Sequence, residues 1–200
     1  MNPKDHNTDR GFYIRWIWIT FLGWFVGFAA IVVLSLAWDV VGGGSAQSMI
    51  GIGMGLGVGY TQALEMRPWV KSIGHWILAS AVGMGAPFVL YDMVHAAGSE
   101  FPYSLPFAVA IGGLLVGLLQ TYVLAPLSSR AVSWIPASLA GWTLAAATTI
   151  VGDALPRLVQ GIGGALLYIA LILFGGAVLG VVTGGALVWI RRGRDPVSGN

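Results

Sequence analysis

The sequence predicts an all-α integral membrane bundle of six transmembrane helices, built from three tandem helical hairpins about a pseudo-threefold axis. Two observations carry that prediction. The first is composition: 200 residues are 56% hydrophobic and 9% charged, with thirty glycines and a mean hydropathy of +0.80, whereas a soluble domain carries roughly 25% charged residues. The second is a repeat. Gly55-x-x-x-Gly59-x-x-Gln62 returns as Gly113-x-x-x-Gly117-x-x-Gln120 and, with Thr in place of Gln, as Gly176-x-x-x-Gly180-x-x-Thr183. A second pattern, Trp-Ile-x-x-Ser/Thr-x-x-Gly, starts at Trp16, Trp76 and Trp134 and places Thr20, Ser80 and Ser138 at its polar position. Gly55, Gly59, Gln62, Trp76, Ala79 and Gly83 all recur at one ungapped offset of 58. Such repeats stack neighbours to bury a face that no single unit can bury.

Taken in order, residues 1–15 read as a solvated tail, 16–66 as the first hairpin, 67–127 as the second, 128–190 as the third and 191–200 as a second tail. The first apolar run, Trp16 to Trp38, is long enough at 1.5 Å per residue to cross a bilayer core of about 30 Å. It is too long for a signal-peptide core of about 7–15 residues, and removing it would break the repeat. Asp39 and Gly42 to Ser45 form a turn into the second span, Gln47 to Met66. The third span, Trp69 to Asp92, contains Pro87, a source of kinking. The fourth, fifth and sixth spans are expected over Leu105 to Leu127, Trp134 to Gly152 and Gly161 to Ile190.

Orientation follows from the basic residues, which concentrate in cytoplasmic loops. Lys4, Arg10, Arg15, Arg67, Lys71, Arg130, Arg191, Arg192 and Arg194 fall on one side of a six-span arrangement, and only Arg157 falls on the other. Both termini are therefore expected in the cytoplasm. Trp16, Trp18, Trp69, Trp76, Trp134 and Trp189 cluster near the inner boundary, as an interfacial belt would. Reporter fusions after Met66, Arg130 and Arg192 should report a cytoplasmic location, and fusions within 42–45, 98–101 and 157–160 an external one. One fusion consistently on the wrong side would dispose of the six-span arrangement.

Small residues four apart let transmembrane helices approach closely where lipid gives no hydrophobic drive. Gly55, Gly59, Gly113, Gly117, Gly176 and Gly180 are accordingly expected at helix contacts, with sliding or hinging of the helices as the sharper alternative. In the second span Gly51, Gly55 and Gly59 line one side, while Gly53 and Gly57 lie about 200° away, which predicts close neighbours on two sides. Thr20, Gln62, Ser80, Gln120, Ser138 and Thr183 fall at a similar depth. They are read either as interhelical hydrogen-bond partners or as a polar vestibule open to the cytoplasm. Asp39, Asp92 and Asp153 close the outer ends of the odd-numbered spans, as carboxylates suited to solvated helix ends or as an outer ring concentrating cations. Glu65 is expected to pair at the interface, beside Arg67.

Catalysis has little foundation. His75 and Ser80 lie five residues, about 500°, apart on one helix and do not face each other as base and nucleophile. No metal or nucleophile-elbow motif occurs, and the absence of cysteine removes disulfides and thiolate ligands. No enzyme activity, cofactor, metal or nucleic-acid partner is expected. The bilayer and other membrane subunits are the expected partners.

At Gly113-Leu-Leu-Val-Gly-Leu-Leu-Gln-Thr-Tyr-Val-Leu124 and Trp134-Ile-Pro-Ala-Ser-Leu-Ala-Gly-Trp142, the chain resembles multi-pass membrane proteins of bacteria that repeat Gly-x-x-x-Gly-x-x-Gln-Trp-x-Val-Leu-Arg units followed by Trp-Val-x-Ala-x-x-x-Gly-Trp. Thr121 stands where that pattern has Trp, and Ala125-Pro126 where it has a basic pair. The resemblance covers most of residues 16–190 and implies no known activity. Residues and resemblance together predict a helix-packing accessory subunit or small-ligand- or lipid-binding module of a membrane assembly, and the resemblance implies the plasma membrane of a bacterium. The alternative is a small-solute transporter or channel built on the polar ring.

Overall fold

A computed structural model describes residues 3–44, 46–70, 72–99, 104–154 and 161–193, without the side chains of residues 3–7, 153 and 154. Lys71, Glu100, Arg157, Arg194 and the side chains of Lys4 and Asp153 therefore lie outside the described residues. Six α-helices make up the fold: α1 Pro3–Val40, α2 Ser48–Met66, α3 Ile73–Ala96, α4 Leu105–Leu124, α5 Trp134–Ala154 and α6 Ile162–Arg192. Two short 3₁₀ turns, Ala125–Leu127 and Ser129–Ser133, link α4 to α5. No strand occurs among the described residues.

Local chemistry sets the helix ends. Gly42, with φ of +78°, ends α1 in the left-handed conformation that glycine adopts without a Cβ penalty, and its N–H donates to the Asp39 carbonyl. Pro106 stands in the first turn of α4, where its missing N–H costs nothing. Ser128 caps the second 3₁₀ turn by accepting the Arg130 N–H at 3.2 Å. Within α3 the helix runs on through Pro87 to Ala96.

Each helix packs against its neighbours in sequence, and α6 packs against α1, so the six close into a ring. Among the described residues, five helices are long and apolar enough to cross a membrane: α1, α3, α4 with its following turn, α5 with its preceding turn, and α6. The exception is α2. Its 19 residues span about 28 Å at 1.5 Å each, yet five are glycines that supply no apolar side chain. Twelve of the 19 are buried, so α2 is shielded by protein where the other five face outward.

The N-terminal region departs from the expected solvated tail, because α1 is helical from Pro3. Its polar first turns gain partners on α6. Asp9 accepts from Arg192 at 2.8 Å and lies 4.0 Å from Arg191, and the Arg191 guanidinium sits over the rings of Phe12 and Trp69, 4.4 and 4.2 Å from their centroids. A bare sequence shows no apolar run over these residues, so only the tertiary partner explains the helix. These contacts bring the start of α1 and the end of α6 together at one end of the bundle, the terminal end.

Candidate functional site

The matched glycines bring the ring's helices close enough to build an interior. A Cβ on Gly55 would fall 2.8 Å from the Ala81 Cα, and one on Gly59 2.5 Å from the Ser80 Cβ, both on α3. On α4, a Cβ at Gly113 would stand 2.6 Å from the Trp142 Cβ and one at Gly117 3.0 Å from the Ile135 Cα, both on α5. On α6, Gly176 and Gly180 meet Trp24 and Ile17 of α1 at 2.7 and 2.8 Å. Each even-numbered helix thus presents its stripe to the next odd-numbered one, with α6 turning back to α1. The second stripe of α2 faces the other way: Gly53 lies against Ile31 and Gly57 against the Gly27 backbone, both on α1.

Those approaches carry the six polar side chains into the interior. Thr20, Gln62, Ser80, Gln120, Ser138 and Thr183 are all between 0 and 4% exposed. Gln62 donates through Nε2 to Thr20 Oγ1 at 3.2 Å, and Gln120 donates to Ser80 Oγ at 2.9 Å. Ser80 in turn donates to the Trp76 carbonyl at 2.8 Å. Ser138 and Thr183 do not meet as such a pair. Ser138 donates to the Gly113 carbonyl at 2.7 Å, and Thr183 to the Leu179 carbonyl at 2.6 Å. Threonine is too short to repeat the glutamine's reach, so α6 is joined to its neighbours by another route.

That route uses tryptophan. Trp16 Nε1 donates to Thr183 Oγ1 at 3.0 Å, and Trp134 Nε1 to Gln120 Oε1 at 2.8 Å. The matched indole, Trp76, is buried with no partner at its Nε1, while Gln62 turns to Thr20 instead. The three indoles meet in a triangle, with ring centroids 5.5 to 6.3 Å apart. At 0, 0 and 1% exposure, they belong to the interior and not to an interfacial belt. Trp18 and Trp189, at 60 and 54%, do face outward. Recurrence at one repeat position marks Trp16, Trp76 and Trp134 as equivalent, but equivalent residues of a ring can converge or all face outward, and interfacial depth does not choose between the two.

Eight residues beyond the triangle on each odd-numbered helix stand Trp24, Met84 and Trp142. Trp24 and Trp142 stack with centroids 5.6 Å apart and planes 30° from parallel. They border a cavity of about 320 Å³ to which all six helices contribute, with Phe28 and Ile31 from α1, Met54 from α2, Phe88 from α3, Val109 from α4, Ala146 from α5 and Tyr168 from α6 among its walls. Thr149, also on the wall, donates its hydroxyl to the Ala146 carbonyl at 2.6 Å. These wall residues lie outside the repeated motifs apart from the two tryptophans and Met84, so little in the sequence signals the cavity. A larger depression of about 690 Å³ lies between α3 and α4 beside His75, Leu78 and Tyr122. Leu78 and Tyr122 are exposed, which makes it a groove on the outside of the bundle.

Asp92 and Glu65 serve separate structural ends. Asp92 accepts the backbone N–H groups of Gln47 and Ser48 at 3.0 and 2.8 Å, satisfying donors at the α2 N-terminus that have no intrahelical partner and placing negative charge at the favourable end of its dipole. Asp39 is exposed, and the side chain of Asp153 lies outside the described residues. Glu65 pairs across the interface with Arg15 of α1, at 3.1 Å, and not with the adjacent Arg67. At the terminal end, Ser128 donates to the Gly193 carbonyl at 3.1 Å and Arg130 lies 4.3 Å over the Trp189 ring, tying α6 to the α4–α5 connection. Comparison with protein-family models, curated proteins and solved structures gives no match to the chain.

Proposed function

We propose that the chain is a non-enzymatic, non-conducting membrane module that binds a small or lipidic ligand, within a bacterial plasma membrane and with both termini in the cytoplasm. On this reading three hairpins surround a pseudo-threefold axis, and the polar ring holds them together. The observation that carries it is the internal use of the polar groups. Thr20, Gln62, Ser80, Gln120 and Thr183 bond to one another, to indole N–H groups or to helix carbonyls. A conduit instead needs donors and acceptors left free for the solute. The indole triangle further fills the interior beside this layer, while the apolar cavity leaves space for a ligand in the opposite half.

The native chain has no thiol, so single Gln62→Cys, Gln120→Cys and Thr183→Cys variants can be challenged with a membrane-impermeant thiol reagent from the cytoplasmic side. All three should be protected until the protein is denatured. Rapid modification of all three in the folded protein would defeat the closed-bundle reading and favour a transporter or channel.

A further inference from the structure

We infer that the axial cavity receives an uncharged hydrocarbon chain of a membrane lipid, inserted tail first from the end opposite the termini. The inference rests on the closed-bundle reading and gives its ligand a chemical class. The cavity's 320 Å³ falls at the small end of the roughly 300–1,000 Å³ range of ligand sites. Its reach along α1, from Trp24 to Ile31, is seven residues, or about 10 Å of helix axis. At its far end it extends to Ile50, in the first turn of α2, and to Leu105, the first residue of α4. It therefore reaches from the first turns of α2 and α4 to the stacked indoles.

Chemistry selects the occupant. None of the fifteen lining residues carries a charge, so an ion or charged headgroup inside would lose its hydration without compensation. Water has few polar partners here, and apolar cavities of this kind stay dry and accept apolar guests. Aromatic faces of Trp24, Phe28, Phe88 and Trp142, with the adaptable side chains of Met54 and Met84, match hydrocarbon. Polar atoms are few: Trp24 at the indole layer has a buried Nε1 with no partner, and the hydroxyls of the wall are towards the opposite end. Thr149 and Tyr168 stand seven and more residues beyond the indole layer, towards the helix ends, and suit the polar end of a molecule whose chain lies deeper.

The test uses the full chain in its native membrane with two photoactivatable probes, each carrying a diazirine midway along a saturated chain: a long-chain fatty alcohol and a diacyl phosphatidylcholine. Adducts located by peptide mass spectrometry should include Met54 or Phe88. Excess unlabelled hexadecanol should suppress those adducts about tenfold while leaving labelling at outward-facing Leu78 and Leu118 unchanged. Ala146→Phe and Val109→Phe, which fill the cavity from two walls, should have the same selective effect. Labelling by the alcohol alone supports a single-chain occupant, and labelling by both supports a phospholipid tail. Adducts confined to Leu78, Leu118 and similar outward positions would overturn the inference, as would cavity adducts that neither competition nor either filled variant reduces. If the cavity is unlabelled while Gln62→Cys stays protected, only the ligand class fails. If Gln62→Cys is modified in the folded protein, the closed-bundle reading fails whatever the lipid adducts show.

Discussion

Replacing Gly57 with leucine is expected to leave almost no folded protein, because among the described glycines this one makes the closest approach to another helix backbone. A Cβ at this position would coincide with the backbone of Gly27 on α1, and a helix backbone cannot move aside as a flexible side chain can. Overpacking of a side-chain contact costs about 1–3 kcal/mol; here the α1–α2 interface must separate along its length, a loss above about 4 kcal/mol. Gly185→Leu is the matched control. It lies in α6, where an added Cβ would meet nothing within 4 Å, and leucine is the better helix former by nearly 1 kcal/mol. Size-exclusion chromatography and thermal unfolding in mild detergent should show aggregated or absent Gly57→Leu and Gly185→Leu at or slightly above the stability of the unaltered chain. Equal behaviour of the two would mean that α1 and α2 do not pack through these glycines.

Truncating the indole triangle is expected to have the next largest effect. Trp134→Ala removes a buried ring, worth about 3–5 kcal/mol, and leaves the Gln120 Oε1 without the indole donor it now has at 2.8 Å, a further cost of about 1–3 kcal/mol. The midpoint of thermal or denaturant unfolding should fall far more than in Trp18→Ala, where the ring is 60% exposed. Trp134→Phe should lie between them, because it restores most of the volume but not the N–H. Trp76→Phe should be milder than Trp134→Phe, since the Trp76 Nε1 has no partner to lose. If all the tryptophan variants unfold together, the triangle does not hold the bundle.

Much of the helical pattern was legible because membrane-crossing length and small-residue spacing are written locally. Gly55 and Gly59 are four apart because one helix face must meet α3 there, and a spacing rule can read that. The six polar positions could likewise be picked out as exceptions within apolar helices, although their partners could not. Thr183 and Ser138 look like the third copy of the Gln62–Thr20 and Gln120–Ser80 pairs, yet Thr183, shorter than the glutamines, accepts from Trp16 instead. Trp16, Trp76 and Trp134 were readable by depth but not by direction, since an indole near a boundary suits lipid and protein interior equally well. The early start of α1 depended on Asp9 and Phe12 meeting Arg191 from the far end of the sequence. The cavity was least legible: a void is defined by side chains that stop short of one another, and no spacing in a linear chain encodes that.

The burial of α2 bears on how the polypeptide is made. A segment with five glycines in 19 residues gains little from lipid on its own, because insertion is favoured by apolar side chains. Its stability comes instead from α1 on one side and α3 on the other, and its first N–H groups are satisfied by Asp92, which lies 44 residues downstream of Ser48. During synthesis α2 therefore reaches the membrane before the residues that hold it there. Both the α3 face that its glycines meet and the carboxylate that caps it become available to α2 only once the chain has been made through residue 92.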